Sequence, residues 1–525
     1  MKPAPTPTSQ ALPGRESEMT KNAAGAMAFK SSDWTMLMRF LYIGTLGGTY
    51  YEDEKALTLK NTEAVVRCIQ ANAQEVLKQV LDVSTKGEAP SNDPAIVVMA
   101  LLAKHAPEKL KREVYDSVDK VLRTGTHLFT FMDLTRQLGM SGMGLRRAIG
   151  IWYTGKAPRD LAYQLVKYKQ REGWSHRDVL RRVRSTADAG AEVGALLRLA
   201  VGNPVEWEGD GEGLAFWEAY EKAQVAQSAS EIVTLIADFN LPREALPTQW
   251  LNDKMVWEAL MLKMPMHAMV RNLGKMSNIG LLDGNSAQVK TVVEMLTNAE
   301  KLHKSKLHPV DVLKALRVYS TGKGVKGNLT WKVNDRVEHA LDQAFYLAFD
   351  NVEKIDRDVL VGVDVSGSMF GKLYSSGDFA PIEMAVATAM VFAAQNDGVE
   401  VVAFDTDLHT SVRTRGRRLN EVIDELRRWG GGGTNYNLVF AHALKRQSLE
   451  GLVTITDSES WAHSYHPAEL YKQVQKRFSE ARLVNIQTTA SGTQLNDPTN
   501  LSTMELPGFS TATIKVANLF LTGVI

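Results

Sequence analysis

The sequence predicts two architectures in series: a long α-helical solenoid, then a doubly wound α/β domain. Two observations carry this. From about residue 32 to 345 the apolar residues recur with helical period between short breakers, and nothing there alternates convincingly with period two. At about residue 357 the pattern changes to β-branched runs separated by helical ones, the alternation that builds a parallel sheet. The length, 525 residues, allows about three domains at roughly 150 residues each. Apolar residues make up 44% and charged residues 23%, which excludes a disordered chain, a collagen and a disulfide-stapled miniprotein.

The elements follow in order. Residues 1–31 are Pro-, Thr- and Ser-rich, have no signal-peptide apolar stretch and read as a flexible tail. Helices are expected over 34–43, 61–82, 93–105, 109–123, 127–138, 144–153, 158–169 and 175–184. After an acidic stretch come 213–224, 229–239, 253–262, 265–274, 286–296, 308–319 and 333–348. A run of helices this long is more easily built as a solenoid of degenerate repeats than as one bundle. These helices span 32–350, and residues 351–525 form the second domain. There DVLVGVDVS (358–366) reads as a buried parallel strand. Helix 381–395, strand 399–405, a short strand near 409–413, helices 419–428 and 436–446, strand 452–457, helix 467–480, strand 482–488 and helix 510–522 follow.

The only cysteine, Cys68, lies in a helical pattern and reads as a buried apolar thiol, so no internal disulfide forms. No apolar run approaches the roughly 18 residues that span a bilayer. A cytoplasmic protein without membrane partners is expected.

Charge is uneven. Lys plus Arg total 61 and Asp plus Glu 60, a net of +1. Residues 145–184 nevertheless carry 11 basic residues against 3 acidic ones, a local net of +8. Such a block points to a polyanion at one surface, with a solvated helix face as the bland alternative. Tyr163, Tyr168 and Trp174 interleave with it, and single-stranded RNA stacks on aromatic faces. For Trp174 core packing is the stronger reading, Ser175 is placed to cap a helix, and His176 suits a capping or hydrogen-bonding role as well as RNA contact.

A second constellation is made only of oxygens. The first strand of the α/β domain ends in Asp364, Ser366 and Ser368, a GGGGTN loop supplies Thr434, and strand 452–457 ends at Asp457. In a doubly wound sheet these loops share the edge at the carboxyl ends of the strands. Two carboxylates and three hydroxyls suit a hard divalent cation, Mg²⁺ first, with Mn²⁺ or Ca²⁺ as alternatives. No activated nucleophile stands beside Ser366 or Ser368, so no enzyme and no catalytic residue is expected.

This pattern resembles the metal-ion-dependent adhesion site (MIDAS) of von Willebrand factor A domains. The helical half, in turn, resembles the TROVE module at LMRFLYIGTLGGTYY (37–51), THLFTF (126–131), LRRAIGIWY (145–153), VKYKQREGWSHRDVLR (166–181), 255–276 and LRVYSTGKGVKG (316–327). Joined in this order they resemble the Ro ribonucleoprotein family over roughly residues 32–525. The resemblance implies a HEAT-like ring closed by the A domain, monomeric. It implies that Y RNA-like structured RNA sits on an outer basic surface. Single-stranded 3′ ends of misfolded non-coding RNA enter the hole, in RNA quality control, with an exoribonuclease as a candidate partner. The matching surface would centre on Lys167, Lys169, Arg171, Arg177 and Arg184, with Arg146 and Arg147. Animal members carry His where this chain has Arg184, and an Arg there is always charged. The alternative is an adaptor whose metal site grips an acidic group of a nuclease or an AAA-type ATPase.

Four other features carry no site. GKGVKGN (322–328) lacks the ending of a P-loop. His463 and His466, with Glu469 nearby, lack further zinc ligands. Arg413, Arg415, Arg417 and Arg418 read as a solvated loop, and the Met-rich segment 255–276 reads as core.

Overall fold

A computed structural model of the chain describes residues 11–21, 26–30, 32–43, 62–87, 89, 91–183, 189–206, 210–325, 327–371, 379–395, 397–410, 412–457, 466–488, 493–507 and 511–524. Each long helix of the first part packs on a near neighbour in sequence. Glu63–Lys86 lies on Asp93–His105, which lies on Gly125–Gln137. Pro158–Lys167 lies on Glu212–Val225, Ala229–Phe239 on Lys254–Lys263, and Met266–Asn278 on Pro309–Ser320. The last of these packs on Asp335–Leu347.

Local chemistry sets the starts. Thr124, Ser228, Asp253, Ser286, Asn298 and Asn334 each accept a backbone N–H through the side chain as N-caps, satisfying a donor the helix cannot. Asp93–His105 is apolar all round, and Pro94 through Ala103 are all buried, as expected of a helix covered on every side.

Most expected helices form within a few residues of their predicted bounds. The stretch 109–123 divides at Ser117 into Glu108–Asp116 and Val118–Val121. Ala191–Ala200 and Ala299–Ser305 are helices the periodicity did not single out.

The N-terminal segment is a correction. Instead of a tail up to residue 31, β1 (Met19–Lys21) and β2 (Met27–Lys30) form an antiparallel pair. Their apolar residues have somewhere to go: Leu12, Met19 and Phe29 bury against Ala468 of the second domain. A hairpin of two-residue strands, β3 (Gln170–Arg171) and β4 (Trp174–Ser175), also interrupts the helices. Its turn takes Glu172 and Gly173 to φ of 51° and 75°, the left-handed pair of a type I′ turn.

The second domain is a six-stranded sheet. Its strands are β5 (Val359–Asp364), β6 (Val399–Phe404), β7 (Leu408–His409), β8 (Gly451–Thr456), β9 (Arg482–Gln487) and β11 (Thr503–Pro507). The order is β11-β9-β8-β5-β6-β7, parallel except for the edge strand β7. The strand β10 (Thr493–Gln494) leaves this sheet and pairs with β2. Every residue of β5 and β8 is buried, which explains their unbroken apolar reading. The chain runs from β5 to one side and returns to the other through β8, so the switch point lies between these two strands.

Both ends of the helical part meet this domain. At the start, Asp33–Ile43 lies on β11. At the finish, Arg317 pairs with Glu383 at 3.0 Å, Arg418 pairs with Asp342, and the Leu419 N–H donates to Tyr346 Oη at 2.9 Å. The helices therefore close into a ring on the α/β domain, and one apolar core runs from Leu37 to Leu521. Cys68 is buried within it. Among the described residues no helix is long and apolar enough to cross a membrane.

Phe29 is fully buried. Phe29→Ala should cost about 3–5 kcal/mol, read as a lower midpoint in urea unfolding.

Candidate nucleic-acid interface and metal centre

The basic block folds as a helix–hairpin–helix unit: Pro158–Lys167, the β3–β4 hairpin, then His176–Arg182. Ser175 and Asp178 form a capping box at the start of the last helix, which confirms Ser175 as a cap. The Asp178 carboxyl lies below its usual range, first because of the Ser175 hydrogen bond.

The cations divide by task. Arg159 reaches inward, 3.7 Å over the Phe216 ring and donating to the Phe239 carbonyl at 3.0 Å. Lys156 covers the Trp152 ring at 4.1 Å. Arg147 pairs with Asp116 at 3.3 Å. Lys167 is half-buried: Nζ donates to Tyr163 Oη at 2.9 Å and lies 5.4 Å from the Tyr168 ring centre.

Arg146, Lys169, Arg171 and Arg177 are exposed. Lys169 rests 4.6 Å over the Tyr220 ring, and Arg171 makes only a loose 3.6 Å approach to Glu172. Their charges face water. Arg184 lies outside the described residues.

The aromatics are mostly structural. Trp174 is buried under Arg182, whose guanidinium sits 4.6 Å over the ring. His176 is buried and shares a 2.8 Å hydrogen bond with Tyr153 through Nδ1. Burial pushes its imidazole down to about 4, so it is neutral at pH 7 and braces the unit from behind.

The oxygen constellation assembles at the switch point. Asp364 ends β5, and its Oδ2 accepts from the Thr456 hydroxyl of β8 at 2.6 Å. Its Oδ1 accepts from the Ser366 N–H at 2.8 Å. Ser366 and Ser368 place their hydroxyls 3.3 Å apart. Asp364, Ser366, Thr434 and Asp457 are buried, and Ser368 is exposed at the rim.

Burial, and next the charge of Asp457, push the Asp364 carboxyl up to about 7 against the hydrogen bonds from Thr456 and Ser366. Two carboxylates within one dry oxygen-lined site are what a hard cation would offset, so the residues fit the group.

Three glycines and an aspartate hold the Thr434 loop. A Cβ at Gly430 would stand 2.2 Å from the Val365 carbonyl, and one at Gly432 2.9 Å from Asp405 Oδ2. Gly431 takes φ of 121° and donates its N–H to the Val365 carbonyl at 2.9 Å. Asp405, buried after β6, was not singled out from the sequence. Its carboxylate accepts from the N–H groups of Gly432 and Asp407, both at 2.9 Å, and its carbonyl accepts from the Asn435 N–H at 2.9 Å. Only its place at a strand end marked it.

The motifs set aside find other tasks. His466 caps Pro467–Arg477, its Nδ1 accepting from the Ala468 N–H at 3.2 Å; His463 lies outside the described residues. Three of the four arginines over 413–418 are staples: Arg415 holds the Ala393 carbonyl and Asp397, Arg417 holds Glu425, and Arg418 holds Asp342, while Arg413 is exposed.

The raised Asp364 carboxyl sets a pH dependence. Without metal the folded state holds this proton above the unfolded range near pH 4, so stability falls as pH rises from about 4 to about 7. Urea unfolding across that window should show the fall, and Asp364→Asn should flatten it.

Comparison with known proteins agrees with this architecture. The TROVE domain family matches residues 20–236 and 239–318, and the Ro60 vWA domain family matches residues 358–521. The RNA-binding protein RO60 of Caenorhabditis elegans is 30% identical over 583 residues, 96% of this chain and 90% of its own length. The RNA-binding protein RO60 of Deinococcus radiodurans is 32% identical over 513 residues, 97% of this chain and 96% of its own. The crystal structure of the Deinococcus radiodurans RO (RSR) protein superposes with a TM-score of 0.80 at 31% identity, covering 94% of this chain and all of that one. With both domains matched in order and relatives this similar over nearly the whole length, the chain belongs to the Ro60 family, a TROVE domain joined to a vWA domain.

Proposed function

We propose that the chain is an RNA-binding ring of a Ro ribonucleoprotein, acting by binding and not by catalysis. The observation that carries this is a set of exposed cations: Lys169, Arg171 and Arg177 on the helix–hairpin–helix unit, with Arg146 on the preceding helix Met143–Thr154. Phosphate attraction there gives affinity without reading sequence. The names of both relatives point the same way. Structured, Y RNA-like RNA rests on this outer face because a duplex is too broad to thread. A single-stranded 3′ end of misfolded RNA passes into the hole, as RNA quality control requires. Specificity then comes from shape and a free end.

The metal centre completes the reading. Asp364, Ser366, Ser368, Thr434 and Asp457 would hold Mg²⁺, directly or through water. When bound, the ion supplies an open position for an acidic oxygen of a partner, for which an exoribonuclease is the candidate. Asp405 and the glycine loop keep Thr434 in place for it.

Two measurements test this. A hairpin RNA with a single-stranded 3′ tail should bind more tightly than the same hairpin without it, and more weakly as salt rises. In Lys169→Glu/Arg177→Glu the affinity should fall for every sequence, with the salt slope reduced by about 1 for each phosphate contact removed. Unchanged binding by that variant would remove this face from the interface.

For the metal, Mg²⁺ at about 100 times its Kd should stabilise the protein by about 2.7 kcal/mol in a thermal melt. Asp457→Asn should abolish that shift. No shift in the unaltered protein would refute the cation site.

A further inference from the structure

The ring is closed at two junctions of different kinds. At the finish of the helices the chain itself runs on, through 348–358, into β5. At the start no peptide bond joins the helical part to the α/β domain. That junction is a clasp of non-covalent contacts made by residues 11–43.

Among the described residues the clasp is small. The β2–β10 ladder has two residue pairs, Lys30 with Thr493 and Phe29 with Gln494. Arg15 holds Asp497 by two hydrogen bonds and lies 4.8 Å over the Phe29 ring. Phe29 meets His466 edge to face at 5.2 Å. Beyond these stand the Leu12, Met19, Phe29 and Ala468 cluster and the seat of Asp33–Ile43 on β11.

A short ladder and one partly exposed ion pair form and break more readily than the continuous core along the helices. Releasing the clasp opens the circuit without breaking a covalent bond, and it leaves Asp33–Ile43 packed on Glu63–Lys86 and Asp93–His105.

We infer that the ring opens at this N-terminal clasp, so that the chain can enclose RNA that has no free end. The substrate class is then closed single-stranded RNA, or a single-stranded stretch between two structures too broad to thread. This rests on the RNA-ring reading above.

The test locks the clasp. Lys30→Cys with Thr493→Cys places two thiols at paired positions of an antiparallel ladder, where a disulfide can cross. The natural Cys68 is buried, with its thiol pushed up to about 11, and stays out of the exchange. The probes are a circle of single-stranded uridine RNA and the same RNA linear. They are bound to the reduced protein, the clasp is oxidised, and the complexes are washed in high salt.

The circle should remain and the linear RNA should be lost. Protein oxidised before mixing should bind the linear RNA yet never hold the circle against salt. Loss of the circle at the same rate as the linear RNA, with the disulfide confirmed by mass, would overturn the clasp alone. Salt-resistant capture of the circle by pre-oxidised protein would move the entrance elsewhere and overturn it too. Failure of the linear RNA to bind reduced protein would overturn the RNA ring itself.

Discussion

A stack of helices that bury only the faces turned to their neighbours leaves two raw apolar ends. Solenoids normally cover these ends with separate caps. Here a single α/β domain covers both, receiving Asp33–Ile43 on β11 and Pro309–Ser320 with Asp335–Leu347 on its helices. Capping both ends with one body is possible only if the stack bends round to meet itself. The ring, the shared core and the fusion of two unlike domains follow from that constraint. It also gives the N-terminal strands their task, because they fasten the first helix to its cap.

The basic block shows how a net charge is partitioned by folding. Of the cations between 145 and 184, several were recruited to rings and carbonyls, as Arg159, Lys156 and Arg182 were. A guanidinium over an aromatic face is largely used up as packing. The hairpin escapes this, because a two-residue turn has no interior. Arg171 there, and Arg177 on the short helix after it, keep their charge outward, and Lys169 just before the hairpin stays exposed although it rests over Tyr220. Local charge therefore overstates the interface, and backbone geometry selects which part of it remains available.

How far the sequence could be read follows from the lengths of its signals. Helices of ten residues or more carry several turns of apolar period, and nearly all were legible. The four longer apolar runs gave four strands of the sheet, clearest at β5 and β8, which are buried throughout, and the short run near 409–413 gave β7 at Leu408–His409. The elements that escaped are short or ambiguous. The strands β1 and β10 have three and two residues. The edge strand β11 ends in Pro507, a residue that argues against a strand. The hairpin turn needs a left-handed glutamate at 172, which no turn rule favours. At the oxygen site, strand ends and hydroxyl spacing were enough to mark the five residues as candidates. Asp405 was not, because a carboxylate that serves backbone N–H groups looks like any other aspartate in a loop.

Asp405 also explains why the glycines stand where they do. A hydroxyl that is to serve the proposed cation cannot sit on a loose loop, since an error of an ångström changes its coordination. The Thr434 loop is pinned on both sides: the backbone of 365–367 binds Gly431 and Gly432, and Asp405 binds Gly432 through its carboxylate and Asn435 through its carbonyl. Side chains at 430 or 432 would push the loop away from both pins. The run of four glycines is thus less a flexible linker than a means of bringing three backbone segments into contact. The rigidity of the oxygen site comes from residues that do not themselves belong to it.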